Sequence, residues 1–376
     1  MQFRDLKKQY EVLKDEIDKA VELVMTEANY ISGRQVAELE NLLADYVGVK
    51  HCITCANGTD ALSLALEAWN IGPGDAVFVP DFTFFASGET VLFEGATPIF
   101  VDICEETFNI NPDSLQKAID AVVEEGKLTP RAVVVVDLFG QPADYDKVID
   151  IVRANNMLLL EDGAQGFGGD IRGKRACSFG DIATTSFFPA KPLGCYGDGG
   201  AIFTDNDEWA DLIKSLRIHG KGKDKYDNVR IGMNSRLDTI QAAILQVKFK
   251  AFKEYELSDV NKVAMRYSEK LQGCVRVPYV KEGFLSSWAQ YSILLDNKDD
   301  RDGLQVFLKD KGIPTMIYYP KGMHRQEAFA DIDCVKVDLH ISDSVCDRVL
   351  ALPLHPYMDD ATQDVIIEAI KEYKRA

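Results

Sequence analysis

The sequence has no long apolar run, little histidine and no surplus of positive charge. No uninterrupted hydrophobic stretch approaches the ~20 residues that span a bilayer. Lysine and arginine number 42 against 60 aspartate and glutamate, for a formal net charge of -18. Gripping a nucleic-acid backbone requires clustered cations that displace counterions, and an anionic membrane surface repels a chain of this sign. A small anionic ligand stays open, because a pocket needs only a few local donors. The five histidines show no H-E-x-x-H spacing, and G-x-G-x-x-G is missing, which removes the usual zinc-hydrolase and dinucleotide fingerprints. The Cys52 and Cys55 pair has no second pair to complete a metal site. It also falls in an expected strand, where a three-residue offset sends the thiols to opposite faces. The eight cysteines therefore read as reduced core thiols of a cytoplasmic protein. The charged start, Met1 to Lys8, lacks the apolar core of a signal peptide.

With 376 residues and 46% hydrophobic residues, the chain suits two ordinary domains with real cores. Helical spacing over 10–25 and 35–46 precedes an alternation of strands and helices. Strands are predicted at 51–55, 76–80, 98–102, 132–136, 157–161, 183–188 and 200–204. Helices are predicted from 59, over 84–93, from 111–113, and over 144–154, 207–219 and 237–256. The β-branched run Ala132 to Val136 fits a parallel strand covered on both faces. This βαβ rhythm predicts an open, mostly parallel sheet with helices on both faces. A further strand is predicted over 287–294, in a smaller α+β domain of residues 256–376 that follows a large domain of residues 1–255.

Four segments carry candidate chemistry. Asn57-Gly58-Thr59-Asp60 lies at a strand-to-helix junction, a place for phosphate binding or for simple helix capping. Leu159 to Gln165 puts Asp162 at the C-terminal end of a buried strand, where open sheets bind ligands, although taken alone the segment reads better as a helix N-cap aspartate. In Ser186 to Gly194, Lys191 sits between prolines among apolar residues, a place for a free amine able to form a Schiff base or for a solvated loop lysine, and pattern alone leaves the two open. Gly168 to Arg175 nearly fits a P-loop, but Arg175 replaces the hydroxyl residue, so the segment reads as a turn.

These motifs, together with Asn234-Ser235-Arg236-Leu237-Asp238, resemble those of the DegT-type nucleotide-sugar aminotransferases. The resemblance runs from Phe3 to about Pro320. It implies a fold-type I enzyme dependent on pyridoxal 5′-phosphate (PLP). On this resemblance Lys191 is the Schiff-base lysine and proton shuttle, Asp162 the partner of the pyridinium nitrogen, and Gln165 a donor to the ring oxygen. Phe84 stacks on the ring. Gly58, Thr59 and Ser186 hold the phosphate, and Asn234 reaches the phosphate in the neighbouring subunit of a homodimer. Tyr30, Arg236, Tyr318 and Tyr319 stand where relatives contact the nucleotide sugar. His219-Gly220 and the Tyr226 to Asp238 stretch look closest to enzymes of UDP-linked 3-keto-hexuronic acids, with L-glutamate as amino donor, in surface-polysaccharide sugar biosynthesis. A 4-keto-sugar aminotransferase and a catalytically silent regulator are the alternatives. The chain departs from common family residues at Asp137, Tyr318 and Ala190, positions expected to touch the sugar pocket.

Overall fold

The computed structural model describes residues 1–224 and 226–375. Two helices open the chain, α1 (Leu6–Glu27) and α2 (Arg34–Val47). The alternation then runs β1 (His51–Cys55), α3 (Gly58–Ala68), β2 (Asp75–Pro80), α4 (Ala86–Phe93), β3 (Thr97–Val101), α5 (Pro112–Glu125), β4 (Thr129–Val136), α6 (Tyr145–Ala154) and β5 (Leu158–Asp162). A short hairpin of β6 (Asp170–Ile171) and β7 (Lys174–Arg175) occupies the segment that nearly fits a P-loop. Next come β8 (Ile182–Ser186), β9 (Gly200–Thr204), α7 (Asp207–Leu216) and α8 (Thr239–Ala251).

These strands build a seven-stranded sheet in the order β1-β9-β8-β5-β4-β2-β3. Only β9 runs against the others, since it pairs antiparallel with both β1 and β8. The pleat sends alternate side chains to opposite faces. Val77 and Val79 join the core under α3 and α7, while Ala76 and Phe78 join the one under α5 and α6. Cys52 and Cys55 likewise fall into different cores, and all eight cysteines are free. The sheet is α/β and mostly parallel with helices on both faces, as expected. One consequence matters for chemistry. The carboxyl ends of β1, β2, β4, β5 and β8 share one edge, where an open sheet receives a ligand.

The helix predicted over 237–256 does not end there. A π-helical turn, Phe252–Glu256, joins α8 directly to α9 (Leu257–Leu271). No glycine or proline interrupts this stretch, so nothing in the backbone stops the helix. The boundary placed at 255/256 falls inside this turn. The apolar stripe Ile240, Ile244 and Val247 packs against Leu13 and Ile17 of α1 in the same chain.

The C-terminal portion holds β10 (Phe284–Leu285), β11 (Tyr291–Leu294), α10 (Lys298–Asp310), α11 (His340–Arg348), β12 (Val349–Leu352) and α12 (Asp360–Arg375). β11 and β12 pair antiparallel, and α9, α10 and α12 cover them around Tyr267, Tyr291 and Ile366. The strand predicted over 287–294 is shortened at its start. Ser287 N–H donates to the Gly140 carbonyl (2.9 Å) and Ser287 Oγ to the Gln165 carbonyl (2.7 Å). These bonds pull residues 286–290 away from sheet pairing and onto the turn after β4. Gly140 sits at φ +112°, and an added Cβ would lie 2.5 Å from Trp288 N, so only glycine permits this crossing. No described helix is long and apolar enough to cross a membrane.

Candidate active site

At the carboxyl edge of the sheet lies a cavity of about 400 Å³, within the range of small-molecule sites. Its wall includes Gly58, Thr59, Phe84, Asp162, Gln165, Ser186, Lys191, Tyr318 and Tyr319. Nine of the twelve residues singled out in the sequence thus meet in one place, although they come from segments up to 261 positions apart (319 minus 58).

Each is placed by its local structure. Asp162 is the last residue of β5 and is buried. Its Oδ2 accepts from Ser87 Oγ (2.8 Å) and its Oδ1 from Ala164 N–H (3.1 Å). Burial raises the carboxyl above its ordinary value, while Ser87, Ala164 and the Lys191 charge oppose the rise. Lys191 follows β8 on a turn closed by its own N–H to the Phe188 carbonyl (2.9 Å). Burial lowers its ammonium, Asp162 opposes this, and Arg4 adds to it. The result is an amine biased toward its free base, in one cavity with an acid that burial raises and its hydrogen bonds hold back.

Gln165 is fixed from both ends. Its Oε1 accepts from Phe139 N–H (2.8 Å) and its Nε2 donates to Tyr319 Oη (3.0 Å), which leaves a second amide hydrogen. Asn57 caps α3 through Asp60 N–H (2.8 Å), so the capping reading of that tetrapeptide holds. Capping does not consume the helix start. The first-turn N–H groups of a helix lack intrahelical acceptors and favour an anion. An added Cβ at Gly58 would lie 2.8 Å from Ser186 Cβ, so the glycine brings the α3 start against the end of β8. This cradle, a buried carboxylate and a desolvated lysine fit the phosphate, ring nitrogen and carbonyl carbon of PLP. Phe84 precedes α4, whose predicted start at residue 84 comes two residues later, and its half-exposed ring lies 6.4 Å from that of Tyr319.

Tyr30, Asn234 and Arg236 do not line this cavity. They gather at an exposed edge, where Ile31 bridges to Asp238 and Tyr30 carbonyl accepts from Thr239 N–H (2.9 Å). Arg236 donates to Asn234 Oδ1. Arg236 also shares a shallow depression with His219, Lys221 and Arg230, a basic spot on an acidic chain.

One expectation changes. Tyr318 and Ala190 line the cavity, but Asp137 does not. Asp137 is buried behind it, where its Oδ1 accepts from Ala143 N–H (3.0 Å) and Tyr145 Oη (2.9 Å). Its Oδ2 receives no donor and faces the Glu161 carboxyl. Two acceptors in contact require a proton between them. Glu161 already accepts from Phe179 N–H (2.7 Å), Gly180 N–H (3.1 Å) and Cys177 N–H, so the proton belongs on Asp137. Burial, followed by the Glu161 charge, pushes Asp137 well above the usual carboxyl range. A carboxyl raised in the folded state stabilises fully below its unfolded value, and this is lost as pH rises toward the folded value. Asp137→Asn supplies an amide donor to Glu161 without a titrating proton. It is expected to raise stability at pH 8 by about 1–2 kcal/mol and to give little gain at pH 5. Urea unfolding at both pH values checks this, and an equal gain at both would refute the shared proton.

Sequence reading missed Ser87, which holds Asp162, and Thr83, whose Oγ1 lies 3.2 Å from Ser87 Oγ. Their one-turn spacing after β2 is the signal that was available. Nothing in the sequence pattern marks Arg4.

Residues 11–371 match the DegT/DnrJ/EryC1/StrS aminotransferase family. A UDP-2-acetamido-2-deoxy-3-oxo-D-glucuronate aminotransferase of Pseudomonas aeruginosa is 44% identical over 373 residues, covering 98% of this chain and 99% of the relative. A DegT DnrJ EryC1 StrS aminotransferase from Brucella abortus is 46% identical, with a TM-score of 0.97 and full coverage of both chains. NtdA from Bacillus subtilis, solved with bound cofactor PMP, is 29% identical with a TM-score of 0.88, covering 97% of this chain and 82% of that one. The cavity chemistry and the family match agree, and the chain belongs to the DegT/DnrJ/EryC1/StrS aminotransferases, enzymes that transfer amino groups with pyridoxal phosphate.

Proposed function

We propose that the protein moves the amino group of L-glutamate onto a UDP-linked 3-keto-hexuronic acid in surface-polysaccharide sugar biosynthesis in the cytoplasm. The observation that carries the chemistry is the pairing of Lys191 and Asp162 across one cavity. The activity of the Pseudomonas aeruginosa relative on a UDP-linked 3-oxo sugar supports the choice of acceptor.

PLP, when bound, supplies an electron sink that acidifies the hydrogen on the adjoining carbon. Lys191 would take that proton from the carbon bearing the amino nitrogen and return it to C4′ on the other side of that nitrogen, a transfer for which its biased amine is suited. Asp162 keeps the proton on the ring nitrogen, with Ser87 and Ala164 fixing its oxygens. Gly58, Thr59 and Ser186 bind the phosphate, Phe84 covers the ring, and the free amide hydrogen of Gln165 meets the ring oxygen. The smaller C-terminal unit, residues 256–376, contributes Tyr318 and Tyr319 to the sugar side of the wall.

Tyr30, Asn234 and Arg236 serve the cavity of a second copy in a homodimer. Their gathering at an exposed edge outside their own cavity supports this reading. The planar fork of Arg236 suits the carboxylate or diphosphate of the sugar nucleotide. Arg236→Lys is expected to weaken sugar binding about tenfold or more while sparing the glutamate half-reaction, because lysine cannot reproduce a bidentate contact. Stopped-flow measurement of each half-reaction checks this, and equal loss in both would assign Arg236 to the cofactor or the fold. Incubation with glutamate and a panel of UDP- and dTDP-linked 3-keto and 4-keto sugars tests the substrate. Preferred turnover of a 4-keto sugar would replace the proposed acceptor.

A further inference from the structure

The N-terminal segment puts a guanidinium directly behind Lys191. Arg4 immediately precedes Asp5, which caps α1 by accepting from Lys8 N–H (2.8 Å). Phe3 carbonyl accepts from Leu354 N–H (3.1 Å), and the Phe3 ring meets Tyr318 edge-on at 6.3 Å. The segment is thereby pinned across the C-terminal portion, and Arg4 points inward. Its Nη2 donates to the Lys191 carbonyl (3.0 Å) and its Nη1 reaches the Ala289 carbonyl (3.5 Å).

This contact matters because the backbone around Lys191 has few other restraints. Pro192 offers no N–H, and Lys191 N–H is already spent on Phe188. Among the described residues, Arg4 is the one side chain bonded to the Lys191 carbonyl. Glu256 lies in the same small cavity but is engaged by Gln9 Nε2 (2.8 Å) and Tyr357 Oη (2.5 Å), and it forms no ion pair with Arg4. The guanidinium is therefore committed to main-chain carbonyls. Burial lowers it to about 10, with Glu256 and Tyr318 opposing.

We propose that Arg4 is a positioning residue that holds the Lys191 turn by its carbonyl and places a fixed positive charge behind that turn. This rests on the reading of Lys191 as the lysine that bonds the cofactor. Two opposed charges face the amine: Asp162 from β5 favours the ammonium, and Arg4 from the N-terminal segment favours the free base. Tyr318, Tyr319 and Asp198 complete the titratable groups of the cavity wall. Around Arg4 itself stand Asp5, Glu256, His355 and Tyr357, with Lys248 of α8 nearby.

The experiment compares Arg4→Gln, which removes the charge, with Arg4→Lys, which keeps charge but loses the fork. In PLP-free protein, trace acetylation across a pH series, read by peptide mass spectrometry, reports the midpoint of the Lys191 amine. Arg4→Gln is expected to raise that midpoint by about half a pH unit or more. Arg4→Lys is expected to leave it in place and to slow covalent capture of added PLP severalfold, read by borohydride trapping. An unmoved midpoint in folded Arg4→Gln overturns the electrostatic role. Capture by Arg4→Lys at the wild-type rate overturns the positional one, and this arm stands even if Arg4→Gln fails to fold. Trapping on a different lysine in the wild type would instead defeat the Lys191 reading itself, a result distinct from either.

Discussion

Lys191→Ala is expected to abolish transamination, with a fall in rate of about 4 or more powers of ten. Two functions vanish with one side chain. On the proposed reading the amine bonds the cofactor, and it moves the proton on which amino transfer depends. No described side chain can stand in. Lys248 is buried and lowered to about 8, but its ammonium lies over the Tyr196 ring at 4.7 Å, and it does not line the cavity. The remaining contacts at Gly58, Thr59, Ser186 and Asp162 are unaltered, so the variant is expected to keep weak, dialysable PLP. Mass spectrometry after borohydride reduction should show the cofactor on Lys191 in the wild type and on no residue in the variant. Trapping on another lysine, or residual turnover within a hundredfold of wild type, would sink the assignment.

Asp162→Asn is expected to slow turnover by about 2 or more powers of ten. Both oxygens of Asp162 accept hydrogen bonds, from Ser87 and Ala164. An amide keeps one acceptor and presents a donor in place of the other. Ser87 can turn its hydroxyl to accept, so the fold should survive. The lost quantity, on the proposed reading, is the negative charge that holds a proton on the ring nitrogen. Because burial raises the Asp162 carboxyl, wild-type activity should fall on the acid side at a pH above that of an ordinary aspartate. The variant should lose that limb. Wild-type turnover in Asp162→Asn would mean that another acid holds the ring nitrogen.

The legible part of this protein was the part written in local pattern. The β-branched run up to Val136 and Asp162 after Leu158 to Glu161 mark two adjacent strands and the ligand end of one of them. The proline-flanked Lys191 was visible because lysines rarely sit among such apolar neighbours. Strand ends slipped by one to three residues, as at Ser186, where the chain turns before Phe188, and at Thr129, where β4 begins. A larger error, the strand from 287, arose because alternation in Ser287 to Gln290 records burial against the turn at 138–140, not pairing with a neighbour strand.

By itself the sequence determined the order of strands and helices, the family, and most of the singled-out residues that line the cavity. These depend on side-chain period, turn chemistry and motif spacing, all of which act over a few residues. Only the tertiary structure decided what holds those residues. Ser87 reaches Asp162 across 75 positions, Gln165 reaches Tyr319 across 154, and Arg4 reaches the Lys191 carbonyl across 187. It also decided that Asp137 faces Glu161 behind the cavity and not the sugar. Such pairings follow from the strand order and from where the C-terminal portion docks, and neither leaves a periodic trace in the chain. Local pattern chose the reactive groups, and long-range packing set their orientation and charge.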